Sequence, residues 1–376
     1  MTDVSVDASG TFLTLGSRRF HAIWLRDNAA DPETRDPGNG QRLIAPGAIP
    51  SDLRIASAAV SDTTLMVNFA PEMRAIAFDL SWLERNAYDQ SGVDGRGWTE
   101  PTITTWTGSR LGEVPVANLG DLEMRGAALR DWLGCVRNYG VARVINGPVA
   151  PGALFRIVNL FGHVRETNYG RHFDVRTQVN PVNLANTGRA LQAHTDNPYR
   201  DPVPTVQVLY CLESSLTGGD SMVIDGFAAV RRLQEENPDH FDVLADHCAR
   251  FAFDGEEGVS LAARRPLIEL APDGELRCVR FNNRSLAAVR DVPFERMAMW
   301  YAAYRHLGDI VDDPLMAISF RLEPGECFVV DNTRVLHGRT AWTGAGNRWL
   351  QGCYADMDGL RSTHEALMQA TSREPV

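Results

Sequence analysis

His194, Thr195 and Asp196 put an imidazole and a carboxylate two positions apart, and His337 lies far downstream in Asp331-Asn332-Thr333-Arg334-Val335-Leu336-His337-Gly338. On an extended segment, side chains at i and i+2 point to the same side, so His194 and Asp196 can face one ion. A distant strand then supplies His337. Two histidines and one carboxylate on one face of an octahedral metal leave three positions open, which suits iron(II) with a chelating cosubstrate and oxygen. A closed structural zinc site would fill four positions instead. His-x-Asp alone also suits a capped turn with a hydrogen-bonded histidine, so the metal reading draws on the whole set. Eleven positions after His337 comes Arg348, inside the strand-like Arg348-Trp349-Leu350-Gln351-Gly352. An inward-facing arginine needs an anion, and its planar guanidinium can grip a carboxylate through two parallel hydrogen bonds. A dicarboxylate cosubstrate would meet that need; so would an internal ion pair with Asp or Glu.

The elements that must hold these groups are mostly strands. Residues 1–98 alternate β-type runs, such as Thr11 to Leu15 and Thr64 to Phe69, with turn-rich segments, which predicts a small β-rich module. Its Pro-, Gly- and acid-rich loop Asp31 to Gln41 is expected to be exposed and irregular. Residues 99–120 are read as a linker and residues 121–376 as the catalytic domain. Leu122 to Asn138 has Leu129, Trp132, Leu133 and Val136 at helical spacing, with Asp121 as a cap and Gly140 as a stop. Strands are expected at Val141 to Ile145, Val206 to Leu212, Ser221 to Asp225, Ala317 to Leu322, Cys327 to Val330 and Trp349 to Tyr354. One helix, Phe294 to Val311, interrupts them, with Met297, Tyr301, Tyr304 and Leu307 near one face. Many strands with a few helices predict a mainly β fold, a sandwich or jelly-roll core with helical cover.

Composition narrows the partners. The chain has 376 residues, 44% apolar and 23% charged, as in a folded globular protein. A net charge of −11 argues against nucleic acid, whose binding rests on Lys and Arg neutralising phosphates. Six scattered cysteines without CxxC spacing read as reduced thiols in a cytoplasm. No apolar run approaches membrane-spanning length, and the N-terminus has no signal-like pattern, so a cytosolic location is expected.

Further motifs line up in order: Trp24-Leu25-Arg26-Asp27-Asn28, Trp82-Leu83 with Ala87-Tyr88-Asp89, Phe173-Asp174-Val175-Arg176, and His194-Thr195-Asp196. Thr217 to Ser221 with Asp225-Gly226-Phe227, then Leu336-His337-Gly338-Arg339 and Gln351-Gly352-Cys353-Tyr354, complete the series. Over nearly its full length the chain resembles the γ-butyrobetaine hydroxylase branch of the taurine-dioxygenase-like 2-oxoglutarate oxygenases. The resemblance implies a double-stranded β-helix core and iron held by His194, Asp196 and His337. It also implies 2-oxoglutarate with its distal carboxylate on Arg348, assisted by Ser221. Such an enzyme hydroxylates an unactivated C–H bond and releases succinate and carbon dioxide, so no nucleophile or acid–base dyad is required. Ser214, Ser215 and His172 accordingly receive no catalytic role.

In the family a trimethylammonium group sits among aromatic rings, because cations are attracted to ring faces and a quaternary nitrogen cannot donate hydrogen bonds. By resemblance Tyr169, Phe173 and Tyr354 match those positions, and Asn183 and Asn282 match positions that hold the substrate's carboxylate. Ordinary core packing is the alternative for each ring. Asn186 and Asn197 depart from the aromatic or apolar residues usual there and make the pocket more polar. That favours an anion with more oxygens, such as the phosphonate of 2-(trimethylamino)ethylphosphonate, which another branch hydroxylates, over γ-butyrobetaine. Arg290, Arg284 or Arg200 would complete the anion site; surface placement is the alternative for each. Family members commonly hold zinc through cysteines after the Leu-Arg-Asp-Asn motif, but here Ala29 to Glu33 follows and no cysteine precedes Cys135, so no structural zinc is expected. The family also implies a homodimer. A non-catalytic quaternary-ammonium binder would have no use for the triad, a metal hydrolase would show HExxH or a nucleophile elbow, and hydroxylation of a protein side chain is the remaining competitor.

Overall fold

Period-two alternation builds the first unit, Met1–Val93. It holds two three-stranded antiparallel sheets: β1 (Val4–Val6), β2 (Phe12–Leu15) and β3 (Arg18–His21), then β4 (Arg54–Ser61), β5 (Thr64–Ala70) and β6 (Arg74–Asp79). In β5, Leu65, Val67 and Phe69 are buried while Met66 and Asn68 face outward. These residues join Leu13, Phe20, Leu25 and Leu83 in one core. The loop after the Leu-Arg-Asp-Asn motif is tied down by ions and hydroxyls. Buried Arg26 pairs with Glu72 (2.6 Å) and donates to Thr34 (2.8 Å), and Asp31 accepts from the Thr34 hydroxyl (2.6 Å) and pairs with Arg74. The loop is otherwise turn-rich and largely exposed, as its composition predicts. The computed structural model describes residues 3–89, 95–176, 190–215, 217–343 and 347–373.

The second unit, Asp94–Val376, carries the remaining strands. In chain order these are β7 (Val116–Asn118), β8 (Val141–Ile145), β9 (Phe173–Arg176), β10 (Leu191–His194), β11 (Val206–Ser214), β12 (Thr217–Gly218), β13 (Ser221–Asp225) and β14 (Cys248–Glu256). They continue as β15 (Val259–Pro266), β16 (Ile268–Leu270), β17 (Leu276–Val279), β18 (Ala317–Phe320), β19 (Cys327–Asp331), β20 (Val335–Arg339), β21 (Trp342–Thr343) and β22 (Arg348–Ala355). A four-stranded sheet in the order β10-β20-β13-β18 lies against a six-stranded sheet in the order β7-β8-β19-β11-β22-β9. Only β7 and β8 pair in parallel within these two sheets; all other neighbours are antiparallel. This is a double-stranded β-helix, or jelly roll.

Alternation decides what each face does. Along β11, Val206, Val208, Tyr210 and Leu212 pack outward with Leu129, Trp132, Leu133 and Val136 of the helix Ala127–Tyr139. Gln207 and Leu209 therefore point between the sheets. In the other sheet, Ile224 and Leu336 pack outward on a helical layer, while Val223 joins Ile318, Phe328 and Leu350 inside. That layer includes Gly226–Glu236, Pro238–Asp246 and Phe294–Val311, and the helix Met357–Arg373 follows β22. The expectation of a single interrupting helix was too few: Gly226–Glu236, begun by the Asp225 carboxylate, buries Phe227, Val230 and Leu233 at helical spacing, a pattern present in the sequence. Helix Phe294–Val311 has the predicted bounds, but its buried face is Trp300, Ala303, Leu307 and Ile310, and Tyr301 is exposed. Burying side chains of this size is worth about 1.5–3 kcal/mol each, which fixes the helix's rotation.

Two further differences concern boundaries. The stretch predicted as a linker, residues 99–120, lies within the second unit: Trp106 is buried, its backbone N–H donates to Asp225 (2.9 Å), and β7 extends the larger sheet. The predicted helix Leu122 to Asn138 is two pieces, Leu119–Glu123 capped by Asn118 and Ala127–Tyr139. Arg125, at φ 55°, breaks the run between them. Gly140 ends the second helix at φ 75°, the left-handed conformation a side chain disfavours.

Candidate active site

Between the two sheets of the second unit lies a cavity of about 570 Å³, and His194, Asp196 and His337 line it. β10 ends at His194, directly opposite His337 of β20, and the ring centroids are 4.6 Å apart. Gly338 permits this approach, since a Cβ there would stand 2.7 Å from the Leu191 carbonyl oxygen. Asp196 lies beyond the strand rather than on it. Its position is set by Asn332, whose amide oxygen accepts from the Asp196 N–H (2.7 Å) and whose NH2 donates to the Asp196 carbonyl (2.9 Å). Strand alternation therefore places His194, and a clamp from the β19–β20 turn places Asp196.

One ligand atom from each of the three residues lies within 4.8 Å of the others. The Gln192 carbonyl, 2.8 Å from His194 Nδ1, can only accept, so Nδ1 donates there and Nε2 is turned toward Asp196 Oδ1 at 3.2 Å. Asp196 Oδ2 accepts from the Gln207 amide (2.7 Å) and the Tyr354 hydroxyl (2.8 Å). Burial acts to raise the Asp196 carboxyl, but the His194 and His337 rings and Arg284 outweigh it and hold the group ionised. His337 is pushed down to about 3, first by burial and then by His194, and its buried Nδ1 has no hydrogen-bond partner among the described residues. A carboxylate, two converging imidazoles and a buried ring nitrogen without such a partner fit a divalent metal. The set leaves room for other ligands on the cavity side.

At one end of the cavity stand Arg348, at the start of β22, and Ser221, at the start of β13. Burial lowers the Arg348 guanidinium to about 10, as expected of a cation kept from water without full compensation. Arg339 also lines this cavity, 4% exposed, and burial followed by Arg348 and Arg284 lowers it to about 9. The sequence reading quoted Arg339 only within a motif and gave it no role.

Rings form an arc along the wall. Centroid distances are 5.3 Å from Tyr354 to Phe173, 6.0 Å from Phe173 to Tyr169, 5.9 Å from Tyr169 to Phe253 and 5.1 Å from Phe253 to Tyr199. Gly352 makes room for it, because a Cβ there would lie 2.4 Å from Phe173 Cζ. Phe253 and Tyr199 were not foreseen; the Phe251/Phe253 alternation of β14 was the available signal for the first. The Tyr354 hydroxyl serves Asp196, so this ring belongs to the metal site as much as to the arc. Asn197 is buried at φ 55°, its oxygen accepts from the Tyr199 hydroxyl (2.8 Å), and its NH2 has no partner among the described residues. Asn282 lines the cavity too, but its amide donates to the Thr195 carbonyl (3.0 Å) and caps Ser285, so it shapes the turn. Of the three arginines proposed for an anion, Arg284 lines the cavity, Arg200 is bound to Asn168, and Arg290 is exposed outside it. Asn183 and Asn186 lie outside the described residues.

The sequence description "Taurine catabolism dioxygenase TauD, TfdA family" matches residues 103–354. The chain is 32% identical over 359 residues to the γ-butyrobetaine dioxygenase of Pseudomonas sp. (strain AK-1), covering 94% of this chain and 93% of that one. It is 28% identical to the mitochondrial trimethyllysine dioxygenase of Rattus norvegicus, covering 93% of this chain and 83% of that protein. Among solved structures, the PvcB protein of Pseudomonas aeruginosa aligns with a TM-score of 0.46 at 19% identity, over 68% of this chain and 82% of that one. With the family match over residues 103–354, the 32% identity to a γ-butyrobetaine dioxygenase and the triad in agreement, the chain belongs to the TauD/TfdA family of dioxygenases, with iron(II) as cofactor and 2-oxoglutarate and oxygen as cosubstrates.

Proposed function

We propose that the chain hydroxylates a small acid bearing a trimethylammonium group, and that 2-(trimethylamino)ethylphosphonate fits best. The observation that carries this reading is Arg284 in the cavity: its charge acts on both Asp196 and His337, and the unpartnered amide of Asn197 lines the same space. A guanidinium and an amide beyond those needed for the cosubstrate supply enough donors for a phosphonate's three oxygens. The aromatic arc suits the opposite, cationic end.

In this reading His194, Asp196 and His337 hold the iron, and Arg348 and Ser221 take the distal carboxylate of 2-oxoglutarate. Iron(II) held there, with 2-oxoglutarate and oxygen, would supply the oxidising chemistry for C–H cleavage. The chain's own part is positioning: the arc and Arg284 hold the two substrate ends, which sets the carbon between them against the triad. Gln207 and Tyr354 keep Asp196 oriented. No residue is required as nucleophile or base.

γ-Butyrobetaine is the second reading, favoured by the 32% identity to an enzyme named for it. Iron-loaded protein is incubated anaerobically with 2-oxoglutarate and either acid, then exposed to oxygen, with succinate and hydroxylated product measured in parallel. Faster turnover with the phosphonate, one succinate per product, is expected. Faster and better-coupled turnover with γ-butyrobetaine reverses the ranking, and succinate formed without product from either acid removes both.

A further inference from the structure

We infer that Arg339 is a second guanidinium for the cosubstrate, meeting the distal carboxylate of 2-oxoglutarate together with Arg348. The inference rests on the reading that this carboxylate lies at Arg348. Arg339 sits two positions beyond His337 on β20, so both side chains leave the strand on its cavity face. In register it lies between Ser221 of β13 and Leu191 of β10, both cavity residues. Arg348 comes from the opposite sheet into the same cavity. Trp342 ties the two together: the Arg339 guanidinium carbon is 4.0 Å from its ring centroid and that of Arg348 is 5.7 Å. Gly219, on the loop after β12, closes around this group, since a Cβ there would meet Trp342 at 3.4 Å and Arg348 at 3.5 Å.

The chemistry follows from counting acceptors. A carboxylate offers about four lone-pair sites, and a bidentate arginine uses two of them. In a buried cavity the remaining two require donors, and Arg339 and Ser221, register partners across β13 and β20, both line it. Arg348 acts on Arg339 as a like charge, so this cavity favours a cosubstrate with an anionic far end over a simple 2-oxo monoacid. Arg339 is thus assigned to cosubstrate binding, with Trp342 as the platform that orients both arginines.

The test is anaerobic calorimetry of 2-oxoglutarate binding to the iron-loaded full chain, for the unmodified protein, Arg339→Gln and Arg339→Lys, with iron affinity and melting temperature measured alongside. Loss of charge-assisted hydrogen bonds predicts binding weaker by roughly tenfold to a hundredfold in Arg339→Gln, with partial recovery in Arg339→Lys. Iron affinity should stay unchanged. Unchanged 2-oxoglutarate affinity in Arg339→Gln overturns the assignment. So does weaker binding that comes with reduced iron affinity or melting temperature and is not recovered by lysine, since that marks a scaffold for the Trp342 hairpin. If the unmodified iron-loaded protein does not bind 2-oxoglutarate, the failure lies in the cosubstrate reading itself.

Discussion

His194 and His337 are cross-strand partners in antiparallel register, with ring centroids 4.6 Å apart on the wall of a two-sheet cavity. Because the pairing is set by the β10–β20 ladder, replacing either ring should leave the sheet intact while removing a ligand. His194→Ala is expected to keep its circular dichroism spectrum and to lose both stoichiometric iron and succinate formation. Retention of iron at one per chain in that variant would show that the three residues do not share an ion.

Tyr354 joins two roles, its ring in the aromatic arc and its hydroxyl on Asp196. Tyr354→Phe separates them. Loss of a partner that orients a metal ligand is expected to weaken iron binding by roughly tenfold to a hundredfold while the arc persists. Iron titration checks this, and an altered substrate KM at saturating iron would assign the hydroxyl to the substrate instead.

Phe253 was invisible as a site residue and is now the link between Tyr169 and Tyr199. A cation–π contact in a desolvated site is worth about 1–2 kcal/mol, so Phe253→Ala should raise the KM of a trimethylammonium substrate by roughly five- to thirtyfold. Inhibition by the neutral tert-butyl isostere should change much less. Equal losses for both compounds would mark the ring as packing.

Asp225 and Arg334 form an ion pair with both side chains essentially shut off from solvent, joined at 2.8 Å and 2.9 Å, and Asp225 also receives the N–H groups of Trp106 and Phe227. Arg334→Met leaves an uncompensated buried carboxylate and is expected to cost about 3–5 kcal/mol, seen as a fall in the urea midpoint. A loss below about 1 kcal/mol would mean water reaches Asp225 in the variant.

All six cysteines are unpaired thiols. Burial pushes those of Cys211, Cys278 and Cys353 up to about 12 and raises Cys327 and Cys135 as well. Four of the thiols are also shut off from reagent by burial, so only the partly exposed Cys248 and, more slowly because its thiol is raised, Cys135 should react at pH 8 before unfolding, and all six in denaturant. Metal analysis of the same samples is expected to give one iron per chain and no stoichiometric zinc.

Local sequence determined the parts that depend on neighbours in the chain. Residue alternation marked β8 and β13 at their observed bounds, helical spacing marked Phe294–Val311, and residue type with order marked His194, Asp196, His337 and Arg348. Tertiary structure decided what depends on groups far apart in the chain, because no periodicity records which loop meets which. Asn332, 136 residues from Asp196, holds that carboxylate in place, and Tyr354 completes its hydrogen bonds from 158 residues away. That Arg284 lines the cavity while Arg200 and Arg290 do not, and that Tyr199, Phe253, Arg339 and Arg348 line it with the triad, depends on which segments meet around one space. Side-chain chemistry was legible residue by residue; the company each residue keeps was set by the jelly roll.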